Sequence, residues 1–228
     1  MPNARAQMPR GAVSRLAVRA RAHIRRWQRN TEGVAAVEFA FIVPIMSVMF
    51  MGAVELSQAI TVDRRVSQVA SSTADLIARA ETSISQTEIS DIMKIGGYVM
   101  EPSSAAPLQI ILRNVTSSPT NASITKQSWT CTYKGSGGAG GTSTQTCECT
   151  NTAFTVPANL ITTNDSVVVA EVTYAYKPLV FDFFMKQSFG TSGSSGTYTL
   201  AQTVYMKPRS QTAMLLQTSG TACPAPTF

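Results

Sequence analysis

The sequence predicts an α+β protein: a long N-terminal membrane-crossing helix that extends beyond the membrane, followed by a small antiparallel β-sheet domain. Three observations carry this reading. Val34–Leu56 is an apolar run whose only charges are Glu38 and Glu55. A helical stripe continues past that run without a Gly or Pro to stop it. From about residue 98 the texture changes to short runs rich in Val, Ile, Thr and Tyr, separated by Gly- and Ser-rich turns.

The N-terminal arm comes first. Residues 1–32 hold eight arginines (Arg5, Arg10, Arg15, Arg19, Arg21, Arg25, Arg26 and Arg29) against the single acid Glu32. From Gly33 to Phe228 there are 11 basic and 12 acidic side chains, so the whole excess of +6 belongs to the arm. Its position beside an apolar run makes it a topology signal rather than a nucleic-acid contact, and no nucleic-acid partner is expected. At 1.5 Å per residue the run from Val34 to Leu56 spans about 34 Å, enough for a hydrocarbon core of about 30 Å. Glu38 and Glu55 fall roughly 25 Å apart along that axis, near opposite interfaces. The positive-inside rule keeps the arm in the cytoplasm and sends the rest outward. Pro44 removes one helical hydrogen bond and predicts a bend.

Beyond the membrane, Val62, Val66, Val69, Thr73, Leu76 and Ala80 recur at alternating steps of four and three, a period near 3.5. One helix therefore runs to about residue 81. Its stripe packs either on the protein's own globular domain or on neighbouring subunits, and both remain open. Ser85-x-x-Glu88 is a capping box for a second helix through Ile89, Ile92 and Ile95, closed by Gly96-Gly97. Strands are predicted at Leu108–Val115, Ser123–Tyr133, Ser166–Tyr176 and Thr197–Met206. The third alternates most clearly, with Val168, Ala170, Val172, Tyr174 and Tyr176 on one face and Val167, Val169, Glu171, Thr173 and Ala175 on the other. Gly135–Gly141 and Thr191–Gly196 are loops. Between the last two strands, Lys177–Phe189 includes Phe181, Phe183, Phe184 and Phe189. It reads as a core-capping helix, the alternative being a surface that touches membrane or a partner.

All four cysteines, Cys131, Cys147, Cys149 and Cys223, lie on the exported side, as disulfides in an oxidising compartment would. Cys147 and Cys149 are too close to bridge each other, which leaves 131–147 with 149–223, or 131–149 with 147–223. No C-x-x-C occurs and the only histidine is His23, so no metal is expected. There is no phosphate-binding glycine loop, G-x-S-x-G, H-E-x-x-H or nucleophile–base set, so neither an enzyme nor a cofactor is expected.

The junction is the place where chemistry is expected. A secretory signal places its cleavage site after the apolar run, whereas here Gly33 stands before it. A cut after Gly33 leaves the helix on the mature chain and creates an amine on Val34, one turn from Glu38. An amine and a carboxylate in an apolar setting favour pairing, within a chain or between neighbours. Gly33-Val-Ala-Ala-Val-Glu38-Phe39 resembles the processing site of type IV pilin-like precursors, and more closely that of the TadE/TadG-like pseudopilins of the tight-adherence (Flp pilus) system. Val172-Thr-Tyr-Ala-Tyr-Lys-Pro-Leu179 and Tyr198-Thr-Leu-Ala-Gln-Thr-Val-Tyr-Met-Lys-Pro-Arg209 resemble that family's extracytoplasmic strand pair.

The resemblance implies a pilin-like fold and processing at Gly33, Val34, Glu38 and Phe39 by a prepilin peptidase. It implies other pilins, pseudopilins and pilus assembly proteins as further partners. Main Flp subunits are very short, so a domain of this size implies a minor pseudopilin acting in assembly or initiation of the pilus. The expected organisation is 1–33 basic cytoplasmic leader, 34–58 transmembrane helix in the inner membrane, 59–97 periplasmic helical region and 98–228 β-rich periplasmic domain. Two other readings stay open. Signal peptidase acting after Ser57-Gln58-Ala59 would release a secreted binding or structural domain. An unprocessed chain would be a plain membrane-anchored periplasmic domain.

Overall fold

The computed structural model describes residues 33–80, 83–135, 143–178, 196–209, 214–218 and 221–228. The arginine arm, most of the Gly135–Gly141 loop and the phenylalanine-rich stretch from Leu179 onward lie outside the described residues. The chain divides into two compact units, Met1–Gly52 and Ala53–Phe228.

In the first unit the described residues form the start of helix α1, Val34–Ala78, and none of them is buried. The helix is continuous through Pro44.

In the second unit α1 acquires an inside. Val62, Val66, Val69, Ala70, Thr73, Ala74, Ile77 and Ala78 are buried. They join the main core with residues of the second helix and the sheet, so the stripe packs on the protein's own domain. Its last part differs from the sequence expectation: Leu76 is 37% exposed and Ile77 fully buried. A true α-helix has 3.6 residues per turn, so a line drawn at 3.5 drifts by about 20° per heptad and two heptads carry it off the buried face. Buried Thr73 is satisfied by donating its hydroxyl to the Val69 carbonyl at 2.7 Å.

Strand β1 (Ser83–Ser85) leads into helix α2, Gln86–Val99. The capping box at its start is complete, with the Glu88 amide donating to the Ser85 hydroxyl and the Ser85 amide to the Glu88 carboxylate at 2.8 Å. Those bonds stabilise the charged carboxylate and hold the Glu88 pKa below its ordinary value. The far end corrects the sequence reading. Gly96 and Gly97 do not close α2, and its buried face is Ile89, Met93 and Gly96, with Ile95 46% exposed. A Cβ at Gly96 would come within 2.7 Å of Ile110 Cδ1 and 3.0 Å of Val69 Cγ1. The glycine is there for close approach to α1 and the sheet rather than for a stop signal. Arg65 of α1 donates to the Met100 and Glu101 carbonyls at 3.1 and 2.6 Å, satisfying the acceptors that α2 leaves open.

The main sheet has strand order β4-β3-β2-β5-β6, every neighbouring pair antiparallel. Its members are β2 (Leu108–Ser117), β3 (Thr125–Lys134), β4 (Thr144–Ala153), β5 (Ser166–Tyr176) and β6 (Tyr198–Met206). β2, β3, β5 and β6 match the four expected strands to within two residues at either end. β4 is an addition, discussed below. One sheet face, with Leu108, Ile110, Leu112, Trp129, Cys131, Val168, Ala170, Val172 and Tyr174, joins α1 and α2 in the main core. The other carries a smaller cluster of Val115, Ile161, Val167 and Val169. A second sheet pairs β1 in parallel with β7 (Leu215–Thr218), which pairs antiparallel with β8 (Thr221–Ala222). The buried Trp129 indole N–H donates to the Met214 carbonyl at 2.8 Å and ties that second sheet to the first.

Candidate functional site

The junction residues stand together at the beginning of α1. Gly33 is exposed, and a Cβ built on it would meet nothing within 4 Å. Nothing in the described packing requires glycine there, in contrast to Gly96. Val34 opens the helix at 54% exposure and Phe39 is 67% exposed. Glu38 lies one turn after Val34, on the same side of the helix. It is exposed and makes no ion pair among the described residues. An unpartnered carboxylate on an apolar helix is therefore presented outward, available to a group outside the described chain.

From Val34 to Leu56 the apolar side chains point outward: Phe41 is 74% exposed, Met49 and Phe50 each 71%. α1 is the one described helix long and apolar enough to cross a membrane, and the apolar part of it has no buried face. In water, so much bare hydrocarbon is unfavourable at roughly 25 cal/mol per Å2. Lipid or other helices remove that cost, which makes α1 a candidate membrane anchor.

Glu55 behaves differently from Glu38. The sequence places both at interfaces, but in the second unit Glu55 is 7% exposed. Burial raises the Tyr176 phenol pKa, and the Glu55 carboxylate raises it further by opposing a second negative charge. The end of β5 thus lies beside α1 where its apolar run ends. Periodicity gave no sign of this, because a lone Glu at the edge of an apolar run reads as an interfacial residue.

The cysteines are joined as Cys131–Cys147 and Cys149–Cys223, one of the two pairings open to the sequence. Cys131 and Cys147 are register partners on β3 and β4, with Cα atoms 4.1 Å apart. Cys149, two residues on and so on the same face, binds the C-terminal segment through Cys223. Among the described residues no three His, Cys, Asp or Glu side chains cluster as metal ligands would.

The distal strands carry two charged anchors. Lys207, just past β6, reaches Asp165 Oδ2 at 2.5 Å. Asp165 also accepts from the Thr162 amide and hydroxyl and from the Ser166 amide. Burial pushes its carboxyl up, but the Lys207 ammonium and these hydrogen bonds outweigh burial and leave it below the ordinary carboxylate range. The Arg209 amide donates to the Ala78 carbonyl at 3.0 Å, fastening the chain after β6 to the end of α1. On the sheet face away from the helices, Arg113 pairs with Glu171 at 2.6 Å and lies over the Phe154 ring. These contacts hold the fold and form no catalytic set.

With that geometry in place, one comparison decides the family. The model of the TadE-like protein family matches residues 33–75. This segment is TadE-like. The match begins on the junction glycine, covers the exposed apolar part of α1, and ends inside the part of α1 packed in the core. It does not extend to the distal strands. No curated protein and no solved structure matches the chain. TadE-like proteins are associated with the Tad pilus and its other components, and the family is structural rather than catalytic.

Proposed function

We propose that the protein is a minor pseudopilin, cut after Gly33 by a prepilin peptidase and acting in assembly or initiation of a Flp-type pilus. Residues 1–33 are then a cytoplasmic leader, 34–58 the inner-membrane span, 59–97 a periplasmic helical region and 98–228 a β-rich periplasmic domain. The observation that carries the reading is a TadE-like segment whose helix begins at an unpacked glycine, with Glu38 unpartnered one turn later. After the cut, the Val34 amine lies within reach of Glu38 of the same or a neighbouring helix. Pairing there neutralises two charges that are costly in an apolar setting.

N-terminal sequencing of the protein recovered from cell membranes tests the proposal. A chain beginning at Val34 is expected. A chain beginning at Ile60 would show release by signal peptidase, and an intact arm would show an unprocessed anchor. Either result overturns the pseudopilin reading. Glu38→Ala is expected to leave membrane insertion intact, since it removes a charge from the span, while blocking processing or incorporation into pili. Unchanged piliation in that variant would remove Glu38 from the mechanism.

A further inference from the structure

We propose that the end of the globular unit formed by Tyr176 and Tyr198, beside the last apolar turn of α1, rests on the headgroup layer of the bilayer. This rests on the reading of α1 as the membrane anchor.

Contacts between α1, the segment after α2, and β5 mark out this end of the unit. Arg65 holds the Met100 and Glu101 carbonyls at the end of α2. The segment that follows meets β5, with the Tyr174 hydroxyl donating to the Ser104 carbonyl at 3.0 Å and the Ala175 amide to Pro107 at 3.2 Å. The next residue, Tyr176, comes to Glu55, ten positions before Arg65 and so roughly 15 Å closer to the start of the helix. Register places Tyr198 of β6 directly opposite Tyr176. Two tyrosines therefore stand on adjacent strands at the level where the apolar run of α1 ends.

The surface there is apolar and open. Tyr198 is 57% exposed, and on α1 Leu56 is 63% and Ile60 47% exposed. It continues the exposed apolar surface of the same helix, which is the argument for lipid as its occupant. A tyrosine ring buries its body in the acyl boundary while its hydroxyl stays hydrated, so the interfacial layer suits it better than water or hydrocarbon. Neighbouring Lys177 is exposed and contributes a compatible charge.

Spin labels measure the depth directly. The native cysteines are all in disulfides, so an introduced cysteine supplies the only free thiol. Tyr198→Cys, Val48→Cys and Thr87→Cys are each labelled in the full chain, reconstituted in phosphatidylcholine–phosphatidylglycerol vesicles. Collisions with oxygen, which concentrates in lipid, are compared with those of a water-soluble nickel chelate. The expected oxygen-to-nickel ratio at 198 lies between that at 48, inside the span, and that at 87, in water on α2. A ratio at 198 equal to that at 87, with 48 in lipid, would overturn the proposal and leave the anchor standing. A water-like ratio at 48 would overturn both. Shielding of 198 from both reagents would mean a protein partner on this surface instead of lipid.

Discussion

Asp165 and Lys207 show how single residues are read differently in sequence and in space. Asp165 sits in an unremarkable Asn-Asp-Ser turn, and only the fold brings Lys207 to it across 42 positions. The carboxyl pKa is lower folded than unfolded, so the pair contributes stability above the unfolded value of about 3.9. That contribution is lost as pH falls through the folded value. Lys207→Met removes a cause of the lowering, and its acid unfolding, followed by fluorescence of buried Trp129, should begin at higher pH than in the parent. Because the Lys207 side chain is 51% exposed, the loss at neutral pH should stay near 0.5–1 kcal/mol, about that of an exposed pair. Glu38 is the opposite case: its residue type and spacing are conspicuous in sequence, yet no described residue in its own chain uses it.

At the scale of elements, the helices and four strands were legible because each buries one face of a regular element. The capping box at Ser85 was legible for a different reason, since it is wholly local. β4 was missed because Thr144–Ala153 contains no long apolar side chain and most of it is exposed. An edge strand of this kind is ordered by its ladder to β3 and by Cys147 and Cys149, none of which leaves a hydrophobic period. α2 errs in the other direction, where a Gly-Gly pair looks like a stop but serves as a contact. Gly96→Val should therefore destabilise the domain by about 1–3 kcal/mol through overpacking against Ile110 and Val69. Thermal unfolding of the detergent-solubilised protein measures this. A melting temperature unchanged or raised would mean that the helix propensity lost at glycine outweighs the clash.

At the scale of the whole molecule, the two disulfides act over different distances. Cys131–Cys147 closes a separation of 16 residues and Cys149–Cys223 one of 74. In the chain-entropy account these contribute about 3 and about 4.5 kcal/mol, because the longer loop loses more freedom when closed. Replacing Cys149 and Cys223 together by Ala should lower the urea midpoint more than replacing Cys131 and Cys147 together. The reverse order would show that packing of Cys131, fully buried in the core, outweighs loop closure. The long-range bridge also joins β4, which has little burial of its own, to the segment after β8.

What the sequence determined by itself is what local chemistry can specify. It set the span, because 23 residues of low polarity match the thickness of a bilayer, and the charge asymmetry around Gly33, because counting needs no fold. It also set the helix cap and most strands, because periods of 3.6 and 2 are written along the chain. Tertiary structure alone decided partners. It chose between two disulfide pairings, turned the second half of α1 onto its own sheet, buried Glu55 beside Tyr176, and inserted β5 next to β2. The physical reason is the same in each case: periodicity says that a face must be covered, while only the meeting of distant segments says by what.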